Sequence, residues 1–217
     1  MKKWLVLSLS VIVIVLSLSS ELLAAGNQVF FRGGYAALNN DRGDEVFTDT
    51  LGETADILGT RSVNDGRDGW YGGAGLNLAL INDLGPGTLL GEIMVEYAQF
   101  SREEVLKTST ALLNIIEKKK IPVSELAVRI GPKYRLELAN GKIRPWIIPV
   151  GIAFLVNSPP SDDVTYLDIG AHVGVGLDIV VAGPFSFGID GRYTFGANQS
   201  DTNTSYGTVG GYIGINF

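Results

Sequence analysis

Cysteine is absent from all 217 residues, so the chain has no disulfide, no thiolate metal site and no lipid-modified cysteine to hold it to a membrane. Histidine occurs once, at His172, which leaves a single imidazole for any metal or acid–base chemistry. Charge is scarce, 18% of residues, and acids outnumber bases 23 to 17, so there is no basic surface for nucleic acid. Long apolar runs are also missing, with one exception. Trp4 to Leu18 is apolar apart from serines, follows Lys2 and Lys3, and is followed by Ala24, Ala25 and Gly26. This is the layout of a secretory signal peptide, residues 1–26, cleaved after Gly26. The run is shorter than the roughly 20 residues needed to span a bilayer as a helix.

The expected mature chain, residues 27–217, keeps 15 bases and 22 acids, a net charge of −7, and is sized for one domain. It is rich in glycine, 28 residues in the full chain. An exported chain with no disulfide and few charges needs either a well-packed core or a membrane around it.

Period-two alternation predicts eight strands, over 28–38, 68–80, 88–100, 123–137, 143–156, 165–181, 185–196 and 207–217. The intervening segments alternate in length. Residues 39–67, 101–122, 157–164 and 197–206 are long or polar, whereas 81–87, 139–142 and 182–184 are tight turns. Even strand number, long loops at one end and short turns at the other describe a transmembrane barrel.

The two faces of each strand choose the solvent. In the sixth strand Leu167, Ile169, Ala171, Val173, Val175, Leu177 and Ile179 oppose Tyr166, Asp168, Gly170, His172, Gly174, Gly176 and Asp178. A soluble sheet alternates too, but a polar face mixing glycine with both signs of charge suits a narrow barrel lumen. The expected lumen set is Arg32, Glu92, Glu96, Glu125, Arg129, Lys133, Arg135, Asp168, His172, Asp178, Asp190 and Arg192. Near balance of sign favours paired ions and a closed plug, the alternative being a narrow channel. On the apolar face, Tyr35, Trp70, Tyr97 and Phe195 toward the loops and Tyr134, Trp146, Phe185 and Phe217 toward the turns would form two interfacial girdles.

The chain ends "TVGGYIGINF", with Val209, Gly211, Ile213, Ile215 and Phe217 on the apolar parity. Together with "GPKYRLELANGKIRPWIIPVGIAF" at 131–154, this resembles the small eight-stranded outer-membrane barrels, the OmpA-like and opacity-protein-like porin family, over residues 28–217. The resemblance implies an outer-membrane location in a Gram-negative cell. It further implies that Val209, Gly211, Ile213, Ile215 and Phe217 act as a C-terminal signal for the barrel-assembly machinery, with Tyr212 standing where that signal usually has glycine. The expected partners are therefore outer-membrane lipid and lipopolysaccharide, that machinery during insertion, and a surface partner through loops 39–67 and 101–122.

Three stretches invite sharper readings. His172 with Asp168 suggests acid–base chemistry and, as a further alternative, a lipid-modifying outer-membrane enzyme, but no serine shares their face, and a lumen histidine is the simpler reading. No metal spacing, phosphate loop or nucleophile elbow is present, so neither catalytic residues nor a cofactor is expected. Arg42, Gly43 and Asp44 spell an adhesion tripeptide that arises readily by chance. Residues 101–122 read as an amphipathic surface helix, with Ser101 and Glu104 as a capping box, Val105, Leu112 and Ile116 on one face and Lys118 to Lys120 at the end. The alternative is that the third and fourth strands project past the membrane.

Pro132, Pro145 and Pro149 fall within strands, where each removes a ladder donor, so bulges are expected near them. The turn after the fourth strand reads as a three-residue loop, Ala139 to Gly141, with Gly141 at positive φ. That loop would pair Leu138 with Lys142 and set Tyr134 opposite Trp146 on the apolar face.

Overall fold

The computed structural model describes residues 26–39, 67–108, 116–158, 167–197 and 205–217, without side-chain detail at 101–123 and 158. The expected signal segment up to Ala25, the tripeptide at 42–44 and most of loop 39–67 lie outside the described residues.

Eight strands form one closed, antiparallel, up-and-down barrel: β1 (Gln28–Leu38), β2 (Asp68–Leu84), β3 (Gly87–Thr108), β4 (Ile116–Leu136), β5 (Ile143–Ser158), β6 (Leu167–Ala182), β7 (Phe185–Gly196) and β8 (Tyr206–Asn216). Closure is made by β1 on β8, from Gln28 opposite Asn216 to Leu38 opposite Tyr206. Two of the tight turns have two-residue loops, Gly85-Pro86 and Gly183-Pro184, between the pairs Leu84–Gly87 and Ala182–Phe185. Both glycines have positive φ, which the loop geometry requires and a side chain would resist.

Polarity is inverted relative to a water-soluble domain. Outward positions carry Phe31, Ile93, Ile152, Val175, Phe187, Ile189 and Ile213, each 46% or more exposed, whereas the inward positions bury Arg129, Glu96, Arg135 and Asp178 at 1% or less. Apolar area left outside is favourable only against hydrocarbon, and a closed sheet is one of the two backbone forms that satisfy every ladder group there. The barrel is thus of the transmembrane type. Tyr35, Trp70, Tyr97 and Phe195 lie exposed toward the loop end, with Trp70 and Tyr97 rings 5.8 Å apart. Phe185 is exposed and Tyr134 and Phe217 are half-buried toward the turn end.

Trp146 does not belong to that girdle. It is buried inside the barrel, and Tyr134 pairs with Ile147 rather than with Trp146. The cause is a bulge in β5. Ile148 pairs with Gly174 and Gly151 with His172, so Pro149 and Val150 together face a single β6 residue. One extra residue exchanges the faces of everything beyond it. Above the bulge Ala153 and Leu155 point inward; below it Trp146 and Ile148 do. The turn corrects the register as well. Gly141 has φ 76° as expected, but Ala139 and Asn140 are also at positive φ, and the closing bridge joins Leu138 to Ile143, a four-residue connection.

In the described parts of the expected helix, 101–108 and 116–122, strand stands in its place, while Leu112 lies outside the described residues. β3 and β4 continue their ladder past the barrel, from Arg102 opposite Pro122 to Thr108 opposite Ile116, after an irregularity between Gln99 and Arg102. Continuing an existing ladder needs no new nucleus, whereas a short isolated helix does.

Candidate functional site in the lumen

Strand alternation sends a polar side chain from almost every strand to the barrel axis, and all twelve expected lumen residues are buried there. Seven of them form one alternating chain of ions. Arg129 Nη1 lies 2.8 Å from Glu96 Oε1, and Arg32 Nη1 pairs with the other oxygen of Glu96. Arg32 Nη2 is 2.7 Å from Asp190 Oδ1, and Arg192 Nε is 3.1 Å from Asp190 Oδ2. Arg192 then grips both oxygens of Glu92, whose Oε2 is also 3.1 Å from Lys133 Nζ. Each of the three carboxylates therefore bridges two bases, and a base stands at each end of the chain.

The ends are tied off by neutral groups. Arg129 donates to Thr194 Oγ1 at 2.9 and 3.2 Å and to the Tyr206 hydroxyl. Lys133 reaches the Asn77 amide oxygen at 3.5 Å and lies over the Trp146 ring, 4.0 Å from its centroid. The polar chain continues toward the turn end through Gln28, whose amide donates to Asp178 Oδ2 (3.2 Å) and Ser186 Oγ (2.9 Å). At that mouth Arg144 contacts Asn216 at 3.1 Å, while Arg135 donates to the Gly26 carbonyl and pairs with Glu137 at 3.2 Å.

Between the charges the lumen is filled by rings. Phe30, Trp146 and Tyr212 cluster with Met94 and Ile148, and the Trp146 indole donates to the Tyr212 hydroxyl at 3.0 Å. Lys133 and Arg192 both lie over Trp146 and Phe30, so cation–π attraction adds to the ion pairs. Toward the loop end Leu38, Tyr71, Ala98, Phe100 and Tyr206 form a second apolar cluster, with Phe100 and Tyr206 edge to face.

Four of these rings have their space because a glycine stands opposite each in the ladder. Phe30 faces Gly75, Trp146 faces Gly176, Tyr212 faces Gly188 and Tyr71 faces Gly34. A Cβ on Gly75, Gly176 or Gly188 would come within 2.4 Å of the facing ring. Covering a strand glycine with a cross-strand ring restores packing that the glycine lacks. Sequence reasoning placed the charges but missed this aromatic layer. The signal was available in β1 and β8, where Phe30 shares parity with Arg32 and Tyr212 with Thr208.

His172 sits against Gly151 and Gly131 of the neighbouring strands, at the height of the β5 bulge. Neither ring nitrogen is hydrogen-bonded to a carboxylate or a hydroxyl among the described residues. Asp168 lies farther toward the loop end, where its carboxylate accepts from the Ile169 N–H at 2.8 Å. The two residues share a face without forming a pair. Of the expected assembly-signal positions, Val209, Ile213 and Ile215 are exposed on the outer wall, Gly211 shares their face, and Phe217 is half-buried with its N–H donating to the Asn27 carbonyl.

No protein-family model matches the chain, and no curated protein is significantly similar to it in sequence. Among solved structures it is similar to the crystal structure of the outer membrane enzyme PagL. That likeness has 15% identity and a TM-score of 0.45, and covers 88% of this chain and 99% of that one. It is also similar to the NMR solution structure of the E. coli Outer Membrane Protein W, with 16% identity and a TM-score of 0.33, covering 90% of this chain and 100% of the other.

Proposed function

We propose that this chain is a bacterial outer-membrane barrel of the OmpA-like, opacity-protein-like kind, with a structural or cell-surface interaction role, a sealed lumen and no catalytic activity. The observation that carries the reading is the seven-residue ion chain, in which no carboxylate is left to a single partner and every side chain is at most 3% exposed. An eight-stranded barrel is only wide enough for its own side chains. Opening a path through this one means separating several buried pairs at once.

The surface role is supported by the β3–β4 ribbon, which rises past the last β2 and β5 partners of those strands, Gln99 and Ser124, and pairs there only with itself among the described residues. Together with loop 39–67 it is the part offered to a partner outside the cell, while lipid and lipopolysaccharide surround the wall and the barrel-assembly machinery reads the last strand. Among the described residues no hydroxyl or carboxylate bonds to His172, in keeping with the non-catalytic reading.

Planar-bilayer recording tests the lumen: the refolded protein should give no steady conductance, and stable nanosiemens-scale channels would overturn the seal. Lipid A from cells expressing the protein should keep the mass of the control, and a changed acylation pattern would make it an enzyme.

A further inference from the structure

The outer wall carries a furrow of about 710 Å³ across β5, β6, β7, β8 and β1. Its course follows one register row: Ile147, Val175, Gly191, Val209 and Tyr35, each the ladder partner of the next. Tyr35 lies near the loop end of β1 and Ile147 near the turn end of β5, so the furrow descends through the wall. Four inter-strand steps of about 4.8 Å give a length of roughly 19 Å. At a strand tilt of about 40° this covers roughly 12 Å of depth, close to one leaflet of a hydrocarbon core about 30 Å thick.

Two outward glycines make the furrow. A Cβ on Gly191 would meet nothing nearer than the Thr208 carbonyl at 3.9 Å, and one on Gly207 nothing nearer than Tyr193 Cδ2 at 3.6 Å. Gly75, Gly176 and Gly188 in the lumen are forced by the rings that cover them; Gly191 and Gly207 are not forced by anything among the described residues. Bare positions on a lipid-facing wall leave a depression that water does not fill at that depth. Its ends differ in polarity. At the loop end the Tyr35 hydroxyl donates to the Asp68 carboxylate, whereas the lower end is Ile147 and Pro149. Polar above and apolar below is the grading of a lipid with its head at the interface and its tail in the core.

We propose that this furrow seats one acyl chain of a lipid of the loop-side leaflet, with the headgroup at Tyr35–Asp68 and the tail end at Ile147. The inference rests on the transmembrane reading of the barrel and adds a specific lipid site to it.

The test is native mass spectrometry of residues 27–217, refolded in detergent and titrated with dimyristoylphosphatidylcholine, whose headgroup has no net charge, so that retention reports the acyl chain. Wild type should hold one lipid saturably. Gly191→Leu with Gly207→Leu should lower that occupancy at least tenfold, and Gly72→Leu, outward on β2 and outside the furrow, should leave it unchanged. Should the double variant not fold, Val209→Phe fills the furrow from its wall and should give the same loss. No retained lipid on folded wild type, equal retention in the filled variants, or a dimer that the filled variants abolish would each overturn the proposal. A wild-type chain that refolds in water but in no detergent would remove the transmembrane reading itself.

Discussion

The Trp146 indole lies across Gly176, its partner in the β5–β6 ladder, so closely that a Cβ on Gly176 would stand 2.4 Å from Cζ2. The ring also carries Lys133 on its face and a hydrogen bond to Tyr212, so it cannot shift without disturbing the ion chain. Gly176→Ala should therefore destabilise the barrel by about 1–3 kcal/mol, the usual range for overpacking. Gly72→Ala, where a Cβ meets nothing within 4 Å, should change it little. Urea midpoints of the two variants in lipid vesicles check the contrast, and equal midpoints would contradict the packing.

Glu92 is shared by Arg192 and Lys133. Glu92→Gln should cost about 3–5 kcal/mol because it strands buried charge. Adding Lys133→Gln should cost less than the sum of the two single changes, since the partner left behind is then removed too. Strict additivity in the same unfolding assay would show that the pair is not coupled.

Ile189 is the most exposed of the outward large apolar residues among those described and lies mid-strand in β7. Ile189→Arg should cost about 2–4 kcal/mol, the penalty for a lipid-facing base at mid-depth. The loss should appear as reduced folding yield in vesicles, and undiminished yield would place that face away from hydrocarbon.

The β5 bulge makes a prediction about direction. With Trp70 replaced by Phe, Trp146 is the reporter in residues 27–217, and brominated lipid should leave its fluorescence unquenched. Deleting Val150 removes the extra residue, and any folded product should turn Trp146 outward and become quenched. A folded deletion variant with Trp146 still shielded would refute the bulge as the cause of its inward orientation.

That bulge also marks the limit of what alternation can convey. The charges on β3, β4, β6 and β7 were readable as inward because those strands keep one parity through the level of the ion chain. In β5 the outward even positions Ile152, Phe154 and Val156 extrapolate to an outward Trp146, and only the two prolines, Pro145 and Pro149, hint at an interruption, which falls at the second. Residues 101–122 failed differently. Val105, Leu112 and Ile116 fit helical spacing, but a local pattern does not include the ladder already running up β3 and β4 from the barrel. The furrow was invisible for a third reason: parity puts Gly191 and Gly207 outward, but only the register of β7 on β8 brings the two bare positions together.

Closure joins residues that are 188 positions apart, Gln28 and Asn216. No subset of consecutive strands can seal this sheet, so a chain still missing β8 exposes the open edges of β1 and of whatever strand is then last. Such edges invite pairing with other chains, and contacts this distant in sequence form slowly. Until the final strand arrives those edges need shielding, and that shielding matters as much to this protein as the stability it reaches afterwards.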